Sequence, residues 1–184
     1  DDLDPFKDKD LLKTKKDWTH ANSLSYDKDG NFLISFYNNG QIWKINSKTG
    51  KVIWKLGKGG TMKMAPDANF SQAHAAHIDQ EGSLLFFDNG VDIKQSSVFA
   101  LKVDEKNNDV KLDFHIKLPK DIYNDRMGSA YMINKDLFLV CCSKRHITVL
   151  TNKKGILIWA LESEIPPYRT IFIPEEKLKP FLQN

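Results

Sequence analysis

The chain has 184 residues, 41% of them hydrophobic and 11% aromatic, which suits one domain with a sizeable core. Its formal charge of +3 is spread over 27 basic and 24 acidic residues, without the arginine cluster or aromatic ladder of a nucleic-acid groove. No apolar run approaches the ~18 residues that cross a bilayer as a helix, so neither nucleic acid nor a membrane span is expected. Residues 1–17 open with DDLDPFKDKDLLKTKK, which is charged and lacks strand periodicity; it reads as a connection between structural units. A first unit, residues 18–60, carries the strands SLSYD, FLISFY, QIWKIN and KVIWKL, parted by KDGN, NNG and SKTG. A second, residues 70–118, carries AAHID, LLFFD, SSVFALKVDE and VKLDFHIK, and a third, residues 127–162, carries SAYMIN, LFLVCCS, HITVLT and ILIWALE. At YRTIFIP a fourth unit begins, so that residues 168–184 are expected to form one closing strand and a polar tail.

Alternation of period two, β-branched and aromatic enrichment, and Gly/Asn/Asp turns favour antiparallel hairpins over helices. A four-stranded meander repeated at about 50 residues is the spacing of propeller blades, so the fold class is all-β, a β-propeller. Such a ring closes at roughly four blades or more, so the chain is expected to be part of a longer polypeptide with its remaining blades N-terminal to Asp1. Assembly with further copies stays open.

In a propeller the first strand of each blade lies innermost. The leading ends of these strands, near His20, His74, Ser129 and Tyr168, are therefore expected at one mouth of a central channel. His20 and Asn22 are two residues apart and share a face of an extended strand. His74 and His77 are three apart and are expected on opposite faces, which weakens a zinc-type HxxH reading, and no metal or other cofactor is expected. His115 and His146 fall in outer strands or their turns and read as structural, as do Trp43, Trp54 and Trp159, placed for packing between sheets. GKGG at residues 57–60 lacks the Lys-Ser/Thr and helix of a phosphate loop and reads as an inter-blade connection, while FDNG supplies a tight turn. Asp125 and Arg126 read as a local ion pair. Cys141 and Cys142 are adjacent in a strand, point to opposite faces, and read as two buried thiols.

The stretches DWTHANSLSYDKDGNFLIS, IWKINSKTGKVIWKLG, FSQAHAAHIDQEGSLLFFDNG and YRTIFIP, in this order and spacing, resemble the bacterial arylsulfate sulfotransferases. The resemblance runs from about Asp4 to Pro174, and HxNS followed by FxxxH and FDNG is its specific part. It implies about three blades and part of a fourth from a six-bladed propeller, exported to the periplasm or cell surface. It further implies transfer of a sulfuryl group from a phenolic sulfate ester to a phenol, both small molecules. By the same resemblance His74 matches the histidine that is transiently sulfated, and His20 and Asn22 match residues that hold the sulfuryl oxygens. Trp18, Tyr37, Arg126, Tyr168 and Arg169 are the expected substrate-binding residues around them. The sequence departs from the family where Tyr37 stands at an arginine position, Gly128 near a threonine position and Ser97 at a second arginine position. These departures keep a second expectation open, a propeller that retains the fold and binds a ligand or partner without chemistry.

Overall fold

In the computed structural model the described residues are 19–182. They form thirteen strands, twelve in three antiparallel four-stranded meanders and one added parallel at an edge, followed by one α-helix. The first sheet contains β1 (Ala21–Tyr26), β2 (Phe32–Phe36), β3 (Gln41–Ile45) and β4 (Val52–Gly57), in that spatial order. The second contains β5 (Lys63–Met64), β6 (Ala73–Ile78), β7 (Leu84–Asp88), β8 (Ser97–Asp104) and β9 (Asp109–Lys117), in the order β5-β9-β8-β7-β6. The third runs β10 (Ser129–Asn134), β11 (Leu137–Cys142), β12 (Ile147–Asn152) and β13 (Leu157–Glu162). These are propeller blades, as the repeat length indicated.

Asparagine side chains close several of the hairpins. Asn46 Oδ1 accepts from the amides of Lys48 and Thr49 at 3.1 and 2.8 Å, and Asn152 Oδ1 accepts from Lys154 and Ile156, both at 3.0 Å. Each side chain replaces a main-chain turn bond and fixes the register of the strands that follow.

The middle blade is buried on both faces, which is why LLFFD reads as an unbroken apolar run instead of alternating. Leu84 and Phe86 enter one core with Leu33, Ile42, Trp54 and Leu56 of the first blade. Leu85 and Phe87 enter the other with Phe138, Val140 and Val149 of the third. An ionic knot joins the first two blades. Lys44 Nζ, nearly enclosed, lies 2.7 Å from Asp27, 2.6 Å from Asp29 and 2.5 Å from Glu105 of the second blade. Burial by itself would lower the ammonium's pKa, but the carboxylates outweigh it and hold the group above its ordinary value.

Three expectations are corrected. The segment expected as a closing strand and tail, residues 168–184, forms no strand among the described residues. Residues 168–174 lie against the third blade, where Ser143 bonds to Tyr168 and both Ser129 and Thr148 bond to Thr170, and Glu175–Leu182 is a helix, α1, although it contains Pro180. Past GKGG, which connects the first two blades as expected, β5 adds to β9 as a parallel edge strand. Trp43 and Trp54 are buried, but Trp159 is 48% exposed, since no described sheet covers the outer part of that face. Lastly, His74 and His77 pair with Phe87 and Leu85, so the strand carries one extra residue between them, and Ala75 adopts a positive φ of 53°. This bulge returns both histidines to one side of the strand. Their rings still engage different partners, Tyr37 for His74 and Tyr131 for His77.

Candidate functional site

The inner strands β1, β6 and β10 lie side by side, and hydrogen bonds tie the first two. Asn22 Nδ2 donates to the Ala73 carbonyl at 3.0 Å, and Ser25 Oγ donates to the Ala76 carbonyl at 2.8 Å. Their leading ends border a recess of about 640 Å³ lined by His20, Tyr37, Asn38, His74, Asp125, Arg126, Met127 and Tyr168. Residues more than 140 positions apart in sequence thus meet: His20, His74 and Met127 lie at the leading ends of β1, β6 and β10, Tyr37 and Asn38 follow β2, and Tyr168 comes from the segment after the third blade.

His74 is the most enclosed of these groups, 4% exposed, and its Nε2 is buried without a hydrogen-bond partner. Burial, reinforced by the nearby His20 and the Arg169 cation, pushes its pKa down to about 3. The imidazole is therefore neutral at pH 7 and carries an uncommitted lone pair. His20, exposed at the rim, has a backbone φ of 50°, which turns the chain immediately before β1. Tyr37 stands between the two histidines, edge-on to His20 at 5.7 Å and to His74 at 5.4 Å between ring centroids. Its hydroxyl donates to the Asp125 carbonyl at 2.7 Å, and burial followed by the Asp125 charge raises its pKa.

Arg169 Nη2 donates to the Asn22 carbonyl at 2.7 Å, and the guanidinium lies 5.5 Å from the centre of the Tyr168 ring. It crosses from the segment after the third blade to the inner strand of the first, close enough to His74 to act on its ionisation. Arg126, largely exposed at the rim, is 3.5 Å from Asp125, but the shorter ion pair of that carboxylate is with Lys144 at 2.7 Å. That Lys144 hydrogen bond chiefly lowers the Asp125 pKa.

Asn22 does not line the recess. Its Oδ1 accepts from Ser35 Oγ at 2.5 Å, so with the bond to Ala73 its amide joins β1 to β2 and β6. Gly128 explains the missing threonine. Its φ is 110°, and a Cβ there would lie 2.7 Å from Phe87 Cε1 and 2.9 Å from the Cys141 carbonyl. Ser97 is buried in β8 and His115 stacks on Phe99 at 4.0 Å, both away from the recess. Trp18 lies outside the described residues.

Sequence reasoning did not find Asn38 or Met127 at the recess. Asp125 was visible only as an ion pair, whereas its carbonyl is what meets Tyr37. Among the described residues the carboxylate group compact enough to hold a metal ion is Asp27, Asp29 and Glu105, and it surrounds Lys44.

The sequence matches the family described as Arylsulfotransferase (ASST) over residues 5–163. A search of curated proteins finds no match. Among solved structures, a protein of unknown function from Bacteroides caccae aligns with a TM-score of 0.55 at 18% identity, over 84% of this chain and 50% of that one. The β-propeller domain of Cps50 (Swd1) from Myceliophteria thermophila aligns with a TM-score of 0.52 at 14% identity, over 89% of this chain and 47% of that one. At these identities the likeness concerns the fold. The chain spans about half the length of the solved structures it matches.

Proposed function

Because the chain belongs to the arylsulfotransferase family, we propose that it moves a sulfuryl group from a phenolic sulfate ester to a phenolic acceptor through transient sulfation of His74. The observation that carries this reading is the enclosed, neutral His74 imidazole, which lines an open recess. In the first half-reaction an imidazole nitrogen attacks sulfur, the S–O(aryl) bond breaks, and the electron pair leaves with the phenolate. In the second, the acceptor's phenolic oxygen attacks sulfur and the N–S bond breaks, restoring the imidazole.

Peripheral sulfuryl oxygens carry the charge, so fixed donors and cations govern the rate. Arg126 lines the recess and Arg169 lies close enough to His74 to act on its charge; together they take the place of the arginine absent at position 37. His20 at the rim is placed to exchange the proton of the departing or entering phenol. Tyr37, Tyr168 and Met127 supply the walls for the aryl ring. Export to the periplasm or cell surface belongs to the same proposal.

The commitment of the Asn22 amide to Ala73 and Ser35 favours a second reading, a binding propeller without transfer, because one expected sulfuryl donor already has structural partners. Incubation with a 35S-labelled aryl sulfate separates the two. The transferase reading expects label on His74, abolished in His74→Ala and slowed at least ~10-fold in Arg169→Ala. Turnover without a labelled histidine would overturn the His74 mechanism, and no transfer from any aryl sulfate would leave the binding reading.

A further inference from the structure

Resting on the reading of the recess as a transfer site, we propose that Asn89 and Asn124 are positioning residues. They set Tyr37 against the two imidazoles through the main-chain carbonyl of Asp125. Asn89 belongs to the FDNG turn that ends β7, where Gly90 has a φ of 60° and a Cβ would overlap the Gln95 carbonyl. Asn89 is fully buried, and its Nδ2 donates to the carbonyls of Asn124 at 2.7 Å and Met127 at 3.0 Å.

Asn124 is buried to the same degree. Its Nδ2 donates to the carbonyls of Arg126 at 2.7 Å and Met127 at 3.1 Å, and its Oδ1 accepts from the Lys144 amide at 2.7 Å. Ser96 Oγ completes the clamp by accepting from the Asn124 amide at 3.0 Å and donating to the Asn124 carbonyl at 3.2 Å.

The pattern within residues 124–127 is selective. The carbonyls of Asn124, Arg126 and Met127 are engaged by these buried amides, while that of Asp125 accepts from the Tyr37 hydroxyl. Met127 is held at a φ of 58°, a conformation a non-glycine residue keeps only with outside support. Tyr37 belongs to the first blade, Asn89 to the second, and the clamped loop leads into the third. The clamp therefore fixes, at one point on the rim, the ring that contacts both His20 and His74. A buried asparagine whose N–H bonds all serve one loop is costly to replace by an apolar residue, because the carbonyls would lose their donors.

The test uses the full chain carrying 13C-ring-labelled tyrosine, with Tyr37→Phe to assign the Tyr37 signal. Asn89→Asp keeps the side-chain shape but turns an acceptor toward two carbonyls. The expected result is a folded protein whose Tyr37 signal moves and whose phenol titration falls back toward that of an exposed tyrosine. Labelling of His74 by aryl sulfate is expected to need at least ~10-fold more substrate. The Tyr37→Phe/Asn89→Asp double variant is expected to be no slower than the worse single variant, since both act through one contact. A folded Asn89→Asp protein with an unmoved Tyr37 signal, or additive effects in the double variant, would overturn the proposal. If Asn89→Asp does not fold, Ser96→Ala takes its place with the same expected signal. If the parent protein takes up no label, the transfer reading fails and the ligand-free Tyr37 measurement alone decides this one.

Discussion

Lowering the pH tests the environment of His74 directly. An ordinary histidine, with a pKa near 6.5, is only roughly 3% neutral at pH 5 and would lose about 30-fold in nucleophilic form between pH 8 and pH 5. With the value near 3 that burial and the neighbouring His20 and Arg169 impose, His74 stays almost wholly neutral over that range. The single-turnover rate of His74 labelling is therefore expected to change less than ~2-fold between pH 7 and pH 5 on account of this group, with its acid limb near pH 3. An NMR titration of 15N-labelled histidine in the ligand-free protein reads the same ionisation without substrate. Stability follows by linkage. Between the folded and unfolded pKa values the unfolded chain binds the extra proton, so the contribution is complete above pH 6.5 and declines toward pH 3. A His74 titration midpoint near 6.5 would refute the enclosed-imidazole argument, and with it the reason for assigning this residue the nucleophile's role.

Placing the family-type residue at Gly128 tests the rim. Gly128→Thr forces a Cβ into Phe87 and the Cys141 carbonyl at a φ of 110°. A loss of about 3–6 kcal/mol is expected from overpacking and backbone strain together, measured by urea unfolding, and an unchanged midpoint would contradict the geometry. Lys44→Met leaves the carboxylates of Asp27, Asp29 and Glu105 facing one another. Because Asp29 and Glu105 are 48% and 42% exposed, the expected loss is nearer 1–3 kcal/mol than the full cost of a buried unpaired charge, and it should shrink as the pH falls toward 4.

The repeats were legible because a β-meander writes itself locally. Alternation, Asn/Asp/Gly turns and a fixed spacing depend on residues a few positions apart, so SLSYD, LLFFD and LFLVCC announced their strands. The prospective meeting of His20 with His74 also followed from repeat phasing. The bulge at Ala75 did not, because its positive φ is imposed by pairing with β7, and no residue type in AHAAH signals it.

The YRTIFIP segment misled for a related reason. It has strand-like residues, but a strand requires a paired neighbour, and among the described residues this segment instead binds Ser129 and Thr148 through Thr170 while Arg169 reaches Asn22.

The sequence by itself determined the blades, the family and the histidine at the centre of the proposed chemistry, since each is encoded in short, contiguous patterns. Only the tertiary structure decided that Asn22 joins strands while Arg169 supplies charge beside His74, and that the Tyr37 hydroxyl meets the Asp125 carbonyl in a loop whose neighbouring carbonyls bind Asn89 and Asn124. Those assignments depend on which distant groups lie within hydrogen-bonding distance and on how much water is excluded around them, quantities that no local pattern contains.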